Sequence, residues 1–351
     1  MKIAILIVSW NGKHFLKDCL SSLQLINFPK SDYQIIIVDN GSDDGSVDYM
    51  RLHFPEVILI ELKENLGFAG GNNVGLRYIL DKPYEFVVLL NQDTVVDTDW
   101  LSGLMLAVEQ DQTIGAVQSL ILKHGHDGII NSSGNQIHIF GFGYCGDLGQ
   151  PVSNILSRGD LDYHVKDIPY PMGACVLLKI DSIRKIGLFD ETFFAYAEDL
   201  DLAWRLRLAG YRNIVAPQSI VYHHYEYKRR PQKFAWLERN RWLILLKNYH
   251  LGTLIVLFPV LMAFELFMIV YAVRNKWFKI KIMCIREVIY LLPHIWSERQ
   301  FIQSKRRIPE KAVIPFLTPI LNFEEEQSIL INLGNIILRI YWQIVEKIVF
   351  W

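Results

Sequence analysis

The chain has 351 residues, 51% of them hydrophobic, and a formal net charge of −1. This length allows two domains, or one large domain with an appendage, around a sizeable core. Of 36 Lys and Arg and 37 Asp and Glu, residues 228–351 hold 19 and 9, which leaves 17 and 28 for residues 1–227. The acidic first part argues against general nucleic-acid binding, whereas the basic second part lies among apolar runs and fits an anionic membrane surface.

The four cysteines, Cys19, Cys145, Cys175 and Cys284, include no Cys-x-x-Cys pair. They are interpreted as small buried apolar side chains in a reducing compartment, not as a zinc or disulfide site. The apolar N-terminus runs directly into polar sequence without a small-residue cleavage pattern. It is therefore predicted to be a buried first strand and not a signal peptide.

Strands and helices are predicted to alternate along the first ninety residues. They are strand Ile3–Ser9, helix Lys13–Leu25, strand Gln34–Val38, helix Ser46–Phe54, strand Val57–Ile60, helix Gly70–Leu80 and strand Glu85–Leu90. This spacing indicates βαβ units and an α/β domain with a mostly parallel sheet flanked by helices. In such a sheet ligands bind beyond the carboxyl ends of the strands.

Polar motifs follow three of these strands, so they are expected to meet at one edge of the sheet. They are Trp10-Asn11-Gly12, Asp39-Asn40-Gly41-Ser42 and Asn91-Gln92-Asp93. The second motif is either a tight turn or a site where Asp39 accepts the N3–H of a pyrimidine base. The Asp93 carboxylate suits a divalent cation that bridges the two phosphates of a nucleotide-sugar.

The loop Asn65–Gly75 is rich in glycine and opens a helix. Its small residues let backbone amides approach a diphosphate or ribose near the positive end of that helix. The loop matches neither G-x-G-x-x-G nor a P-loop, so dinucleotide and ATP binding are not indicated, and a plain turn stays an alternative. Gly173, before the predicted strand Cys175–Ile180, is another position where backbone can approach a ligand.

A helix Trp100–Gln110 and a strand Ile114–Leu122 are predicted next, and residues 123–170 are expected to shape the acceptor side. Three histidines in this region are interpreted as loop residues because their spacing fits no helical metal-binding pair. They are His124, His126 and His138.

Carboxylates concentrate at the start of a predicted helix that ends at Gly210. Glu198 and Asp199 at its N-terminus are either helix caps or, kept ionised by the helix dipole, a general base. Asp201 and Arg205 are four residues apart and are predicted to form a structural ion pair.

In their order along residues 1–240, these motifs resemble the family 2 glycosyltransferases with a GT-A fold. The motifs are Val8-Ser9-Trp10-Asn11, Val38-Asp39-Asn40-Gly41-Ser42, the Asn65–Gly75 loop, Asn91-Gln92-Asp93, Phe189-Asp190-Glu191 and Glu198-Asp199-Leu200-Asp201. Within the family, the chain is most similar to the rhamnosyltransferase-type enzymes of bacterial surface polysaccharide assembly. The resemblance implies a metal-dependent, inverting transfer from a nucleoside-diphosphate sugar.

The resemblance also implies roles for individual residues. Asp39 would bind the base, Asp93 and His223 would ligate the metal, and Asp199 would be the general base beside Glu198. The expected nucleotide-sugar site further comprises Trp10, Asn11, Asn40, Gly67, Gly70, Gly71, Asn73, Asn91 and Gly173, of which Asn91 would face the ribose or phosphate.

The expected metal site departs from the family pattern, because Asn91 stands at the first position of the usual Asp-x-Asp. One fewer negative charge is expected to weaken metal affinity. An imidazole among oxygen ligands favours Mn²⁺ over Mg²⁺. His223 follows the predicted strand Ser219–Tyr222, and His224 is its rival because strand alternation points the two in opposite directions.

The expected organisation is a catalytic domain over residues 1–240, with a nucleotide-binding half 1–110 and an acceptor half 111–240, followed by a helical region 241–351. Leu251–Val273 is long enough to cross a bilayer, but Pro259 and Glu265 disfavour insertion. The alternatives are a spanning helix, an interfacial helix, or a buried hairpin in a soluble protein. Interfacial, monotopic attachment with both termini cytoplasmic is expected, since Glu265 can then turn toward water.

The rest of this region contains basic clusters, an acidic run Glu324–Glu326 and a predicted amphipathic helix Ile329–Trp351. The sequence assigns no role to residues 312–351.

The sequence therefore predicts a glycosyltransferase that moves a sugar, rhamnose by the resemblance, from a dTDP- or UDP-sugar to a glycan or polyprenyl-diphosphate-linked glycan at the cytoplasmic membrane face. Mn²⁺ or Mg²⁺ is the expected cofactor, and no nucleic-acid partner is expected. One alternative is a membrane-attached nucleotide-sugar binding protein without turnover. Another is a glycoside hydrolase, which needs two carboxylates flanking the sugar but no nucleotide loops.

Overall fold

The computed structural model describes residues 2–157, 165–224, 231–322 and 329–351. Lys228, where the charge balance changes, and the acidic run Glu324–Glu326 lie outside the described residues. The strands are β1 Ile3–Ser9, β2 Tyr33–Asp39, β3 Ile58–Glu61, β4 Phe86–Asn91, β5 Thr94–Val96, β6 Ile114–Lys123, β7 Ile130–Ser132, β8 Gln136–His138, β9 Gly143–Tyr144, β10 Lys166–Asp167, β11 Cys175–Lys179, β12 Arg212–His223 and β13 Leu317–Thr318. The helices are α1 Lys13–Gln24, α2 Ser46–His53, α3 Gly67–Leu80, α4 Trp100–Val108, α5 Val152–Ser157, α6 Ile180–Ile186, α7 Glu198–Leu208, α8 Pro231–Asn248, α9 Leu251–Arg274, α10 Phe278–Tyr290, α11 Leu292–Lys305 and α12 Ile329–Ile348.

By contacts the described chain divides into two units. The first comprises residues 1–135, 145–206 and 211–227, and the second comprises residues 136–144, 207–210 and 228–351. The division falls before the expected boundary at residue 240 because α8 packs against α10 and α11. Residues 136–144 join the second unit because β8 pairs with β9 and β13.

A mixed sheet with the strand order β10-β12-β6-β11-β4-β1-β2-β3 forms the centre of the first unit. β1 pairs in parallel with β2 and β4, and β12 pairs in parallel with β6. β11 lies between β4 and β6 and is antiparallel to both. The carboxyl ends of β1, β2, β4 and β12 and the amino end of β11 therefore lie at one edge, which we call the functional edge. The predicted mixed α/β fold is confirmed.

Observed elements differ from the predictions mainly at their ends. α3 begins at Gly67, three residues before the predicted start. β12 begins at Arg212 and not at Ser219, because register irregularities interrupt its pairing with β6 and obscure the alternation of side chains. His138, expected in a loop, is fully buried at the end of β8. His138 itself pairs with Thr318 of β13, so a local pattern could show only the other pairing of β8, with β9.

A buried ion pair holds α7 in the first unit. Arg205 Nε donates to Asp201 Oδ2 at 2.9 Å, and the two side chains are only 4% and 1% exposed. The Arg205 guanidinium also donates to the carbonyls of Ile186 and Leu188, both at 2.8 Å. The predicted structural ion pair is confirmed, and it also fixes α7 against the chain that follows α6.

Glu238, Arg241, Glu265 and Lys281 form one buried cluster of charged side chains among the helices of the second unit. Arg241 donates to Glu238 at 2.8 Å and to Glu265, while Lys281 donates to Glu265 at 2.5 Å and to Glu238. The expectation that Glu265 turns toward water is therefore wrong. α8 and α10 supply two cations to it, and hydropathy along α9 alone could not show those partners.

We expect Arg205→Met to lower the free energy of unfolding by about 3–5 kcal/mol, because it leaves Asp201 buried without its cation. Arg184→Met is the matched control, since Arg184 also bonds an aspartate on its own helix, Asp181 at 3.4 Å, but is 49% exposed. Its removal should cost less than about 1 kcal/mol. Urea unfolding measures both, and equal losses would show that the Arg205 pair contributes no more than a surface pair.

Candidate functional site

Gln92 holds together the loops that follow β1 and β4 at the functional edge. Its Oε1 accepts from Ser9 Oγ at 2.8 Å and from the Trp10 N–H at 3.1 Å, and its Nε2 donates to the Trp10 carbonyl at 3.2 Å. A Cβ at Gly12 would lie 1.9 Å from Gln92 Oε1, so glycine is required there. The Trp10 side chain remains 50% exposed beside this joint. No local sequence pattern indicates this role of Gln92, although its position lies within the Asn91-Gln92-Asp93 motif.

Asp39, at the end of β2, is 2% exposed. Its Oδ2 accepts from the Ser42 N–H at 3.0 Å, and the Ser42 hydroxyl accepts from the Asn11 N–H at 3.0 Å. Asp39 Oδ1 is buried and has no hydrogen-bond partner among the described residues. A buried acceptor left in this way matches a ligand that brings an N–H donor.

Two buried asparagines hold the loops on either side of the N-terminus of α3. Asn40 Nδ2 donates to Asn65 Oδ1 and to the Gly67 carbonyl, both at 3.0 Å. Asn73 Oδ1 accepts from the Phe189 N–H at 3.0 Å, and its Nδ2 donates to the Phe189 carbonyl at 2.9 Å. Both amides thus bond protein groups and fix the loops around this end of the helix.

The glycines at the start of α3 allow close approach of other chain segments. Gly67 has φ +74°, and a Cβ there would lie 2.4 Å from the Phe194 carbonyl oxygen. A Cβ at Gly71 would lie 2.7 Å from Val8 of β1, and one at Gly70 would lie 2.7 Å from Leu66. The Ala69 N–H donates to the Phe194 carbonyl at 3.2 Å. The first turn of α3 is thereby tied to the segment that leads into α7.

Asp199 lies in the first turn of α7 and is held by two backbone amides. Its Oδ2 accepts from the Gly173 N–H at 3.0 Å, and its Oδ1 accepts from the Leu200 N–H at 2.8 Å. Gly173 is followed by Ala174, whose carbonyl accepts from the Asn91 N–H at 2.9 Å. Asp199 is therefore connected through two consecutive residues to the end of β4.

The electrostatics of Glu198 and Asp199 follow from their burial. Loss of hydration raises the pKa of Asp199 to about 6, while the N–H groups of Gly173 and Leu200 oppose the shift. Burial, and next the charge of Asp199, raise the pKa of Glu198 well above its usual range. An apolar cavity adjoins Asp199 and includes Leu89, Pro171, Phe189 and Leu202 in its lining. The environment thus favours the neutral form of both carboxyl groups through the raised pKa of each, with the two backbone N–H groups supporting the ionised form of Asp199.

His223 and Asp93 face each other at the functional edge, with Nε2 and Oδ1 3.4 Å apart. His223 Nδ1 lies 2.8 Å from Oδ1 of the fully buried Asn131, so Nδ1 is the donor of this hydrogen bond and Nε2 is the nitrogen directed at Asp93. Asp93 Oδ1 is buried and has no hydrogen-bond partner among the described residues. His224 instead stacks on His124, with ring centroids 3.7 Å apart.

Comparison with known families decides the identity of the fold. The family described as "Glycosyl transferase family 2" matches residues 4–187, and "Glycosyl transferase family group 2" matches residues 161–296. The chain belongs to glycosyl transferase family 2. It is a glycosyltransferase with a GT-A fold.

Two curated relatives of this glycosyltransferase are bacterial. An N-acetylglucosaminyl-diphospho-decaprenol L-rhamnosyltransferase of Mycobacterium tuberculosis is 24% identical over 71% of the chain and 85% of its own length. A poly-beta-1,6-N-acetyl-D-glucosamine synthase of Staphylococcus aureus is 26% identical over 68% of the chain and 53% of its own length.

Solved structures agree on the fold at low sequence identity. GalNAc-T7 with UDP, GalNAc and Mn²⁺ has a TM-score of 0.58 at 15% identity, and the match covers 70% of this chain and 48% of the GalNAc-T7 chain. Pyrobaculum calidifontis PcManGT with GDP-Man and Mn²⁺ has a TM-score of 0.51 at 16% identity, covering 87% and 85%. S. aureus TarS 1-349 with UDP has a TM-score of 0.51 at 16% identity, covering 99% and 90%.

The raised pKa values of Glu198 and Asp199 predict how stability depends on pH. A carboxyl group whose pKa is raised by folding contributes stability at low pH and loses that contribution as pH rises through its folded-state pKa. Glu198→Gln removes one such group. We expect its free energy of unfolding, relative to the wild type, to rise as the pH rises above the ordinary pKa of a glutamate.

Urea unfolding at several pH values measures this change. Glu346→Gln, at an exposed position of α12, is the control and should track the wild type at every pH. If the free energies of unfolding of Glu198→Gln and the wild type differ by the same amount from pH 5 to pH 8, the raised pKa of Glu198 is contradicted.

Proposed function

We propose that this glycosyltransferase transfers a sugar, with inversion, from a pyrimidine nucleoside-diphosphate donor to a glycan or polyprenyl-diphosphate-linked acceptor in cell-surface polysaccharide synthesis. The observation that carries the proposal is that three carboxylates with different surroundings lie at the functional edge: Asp39, Asp93 and Asp199. Asp39 has a buried acceptor oxygen, Asp93 faces an imidazole, and Asp199 is a half-buried carboxylate with a raised pKa. Similarity to the mycobacterial rhamnosyltransferase supports rhamnose as the sugar and a polyprenyl-linked acceptor.

The free Asp39 oxygen supports recognition of a nucleobase. Uracil and thymine each present an N3–H that a carboxylate accepts, so UDP and dTDP donors fit. Guanine presents N–H donors as well, which makes GDP the informative comparison. We propose that Trp10, exposed beside this carboxylate's loop, covers the base.

Asp199 is proposed as the general base. The acceptor hydroxyl attacks the anomeric carbon, its proton passes to Asp199, and the bond from that carbon to the diphosphate oxygen breaks. The Gly173 and Leu200 amides keep the carboxylate in one orientation before the substrate arrives. The raised pKa of Glu198 disfavours a second negative charge beside it.

The chemistry of Asp93 and His223 fits a divalent cation. A carboxylate oxygen and an imidazole lone pair that face each other at 3.4 Å repel unless a proton or a cation lies between them. Among the described residues no group of three or more His, Cys, Asp or Glu side chains gathers to hold a metal. Other ligands would come from water or the diphosphate, and the bound cation would neutralise charge on the leaving group. Asn131 would hold the required tautomer of His223.

The metal proposal predicts that Asp93→Ala abolishes the Mn²⁺-dependent gain in UDP or dTDP affinity measured by calorimetry. Asn131→Leu should weaken that gain and should change the His223 tautomer seen by ¹⁵N NMR without metal. Asp99→Ala, at an exposed carboxylate of the same segment, is the control. An undiminished Mn²⁺ effect in Asp93→Ala would exclude this residue as a ligand.

The base proposal predicts that Asp199→Asn keeps donor affinity and loses turnover by about 10²–10⁴-fold. Glu198→Gln should lose less, because Glu198 only supports its neighbour. The assay measures transfer and slow hydrolysis of UDP-, dTDP- and GDP-sugars. The reverse ranking would transfer the role to Glu198, and small equal effects would leave the pair as helix caps.

A nucleotide-sugar binding protein without turnover is the alternative, since Asn91 replaces a carboxylate. Donor binding without hydrolysis or transfer in the wild type would support that alternative. If the wild type binds no nucleotide, the result would instead favour a glycoside hydrolase.

We further propose monotopic attachment at the cytoplasmic membrane face. Among the described residues, α9 is the helix long and apolar enough to cross a membrane. Its Glu265 is bonded to Arg241 and Lys281 on neighbouring helices, which supports a helix packed against protein along one side.

A further inference from the structure

α12 has two apolar faces. Leu338, Trp342 and Val345 are buried on one of them, and Val349 directly after the helix is buried as well. The other, which we call the α12 stripe, comprises Leu333, Ile336, Ile337, Ile340, Ile344 and Ile348, each between 45% and 64% exposed. Their spacing of three and four residues aligns them along one side of the helix. The polar residues Arg339, Gln343 and Glu346 form a third face.

α9 exposes a similar stripe. Its exposed side carries Leu251, Ile255, Phe258, Leu266, Val270 and Val273, each between 54% and 66% exposed, which we call the α9 stripe. All exposed positions of this helix before Arg274 are apolar. The helix is about 36 Å long at 1.5 Å per residue, so the stripe is far larger than a scattered surface residue.

The two stripes adjoin one helix contact within the second unit. The Tyr341 hydroxyl donates to the Val256 carbonyl, and Trp351 Nε1 donates to Thr253 Oγ1 at 3.1 Å. Tyr341 lies on α12 between the stripe residue Ile340 and the buried Trp342. The contact therefore lies at the border between the exposed and the buried face of α12.

We propose that the α12 stripe and the α9 stripe together rest in the interface of an anionic phospholipid bilayer, with α12 lying along the surface as a second anchoring helix. This proposal rests on the membrane attachment proposed above and gives α12 a role in it.

Charge and chemistry favour lipid over a second copy of the chain. Exposed Arg274, Lys276, Lys279 and Arg286 follow the α9 stripe, and Lys347 lies beside the α12 stripe. Residues 228–351 carry 19 basic against 9 acidic residues, so two such surfaces would repel each other, whereas anionic headgroups attract them. The stripes are almost wholly aliphatic and offer no hydrogen bonds to fix a protein register. Acyl chains need none.

The test is flotation of the full chain with vesicles of phosphatidylcholine, with and without phosphatidylglycerol. Ile340→Glu combined with Ile344→Glu places charge in the stripe and should lower partitioning by about tenfold or more. The matched control is Asn332→Glu combined with Gln343→Glu, which adds the same two charges at exposed polar positions of α12 and should stay within about twofold of the wild type. Phosphatidylglycerol should increase binding, and added salt should reduce that increase.

UDP affinity in the same samples reports folding and separates this proposal from the proposed reaction. If the protein still floats with vesicles but transfers no sugar, only the proposed transfer reaction would be refuted. If the glutamate variant does not bind UDP, Ile340→Ser replaces it in the flotation assay. As a second measurement, hydrogen exchange of residues 333–348 in the wild type should slow when vesicles are added. Wild-type-like flotation of the stripe variant would overturn the proposal. So would a vesicle-independent dimer that the variant dissociates, or a C-terminal tail protected from protease inside sealed vesicles.

Discussion

The position of α7 depends on Arg205, and the candidate base depends on the position of α7. One guanidinium satisfies Asp201 on its own helix and two carbonyls at the end of α6. A charge so completely enclosed is stable only while all its partners stay in place, since removing one leaves the others buried and unpaired. The pair therefore acts less as a source of net stability than as a fixed joint. It sets where the first turn of α7, with Glu198 and Asp199, meets the functional edge.

Backbone strain is concentrated just before this joint. Phe194, Tyr196 and Ala197 have φ of 61°, 69° and 69°, and the Ala195 N–H donates to the Phe193 carbonyl at 2.7 Å in a three-residue turn. Each such non-glycine conformation costs on the order of 1–3 kcal/mol and persists only where the surroundings fix it. Here the Phe194 carbonyl bonds to the first turn of α3. The segment thus joins the N-terminus of α3 to the N-terminus of α7, which carries the candidate base Asp199.

Sequence patterns predicted the parts of this design that are local. Buried β-branched runs gave β1, β2 and β4 within about one residue, and polar residues after those strands gave Asp39 and Asp93. The i, i+4 spacing gave the Asp201–Arg205 pair. Patterns could not show contacts between distant segments. Examples are the hydrogen bonds of Gln92 with Trp10 and of Asn131 with His223, which is 92 residues away. Gly173 was singled out for ligand approach, but its amide holds Asp199, a role that only the antiparallel insertion of β11 explains.

The second unit shows why hydropathy alone left the apolar helix undecided. A helix of a soluble protein places its polar residues toward water and its apolar residues inward. α9 reverses that order at its two most polar interior positions: Thr253 is fully buried and Glu265 is 8% exposed, while aliphatic and aromatic side chains face outward. Glu265 can be buried because Arg241 and Lys281 enclose it. The charge that a hydropathy profile counts against membrane contact is therefore directed to the protein side, and the side left outward is as apolar as a lipid-facing surface requires.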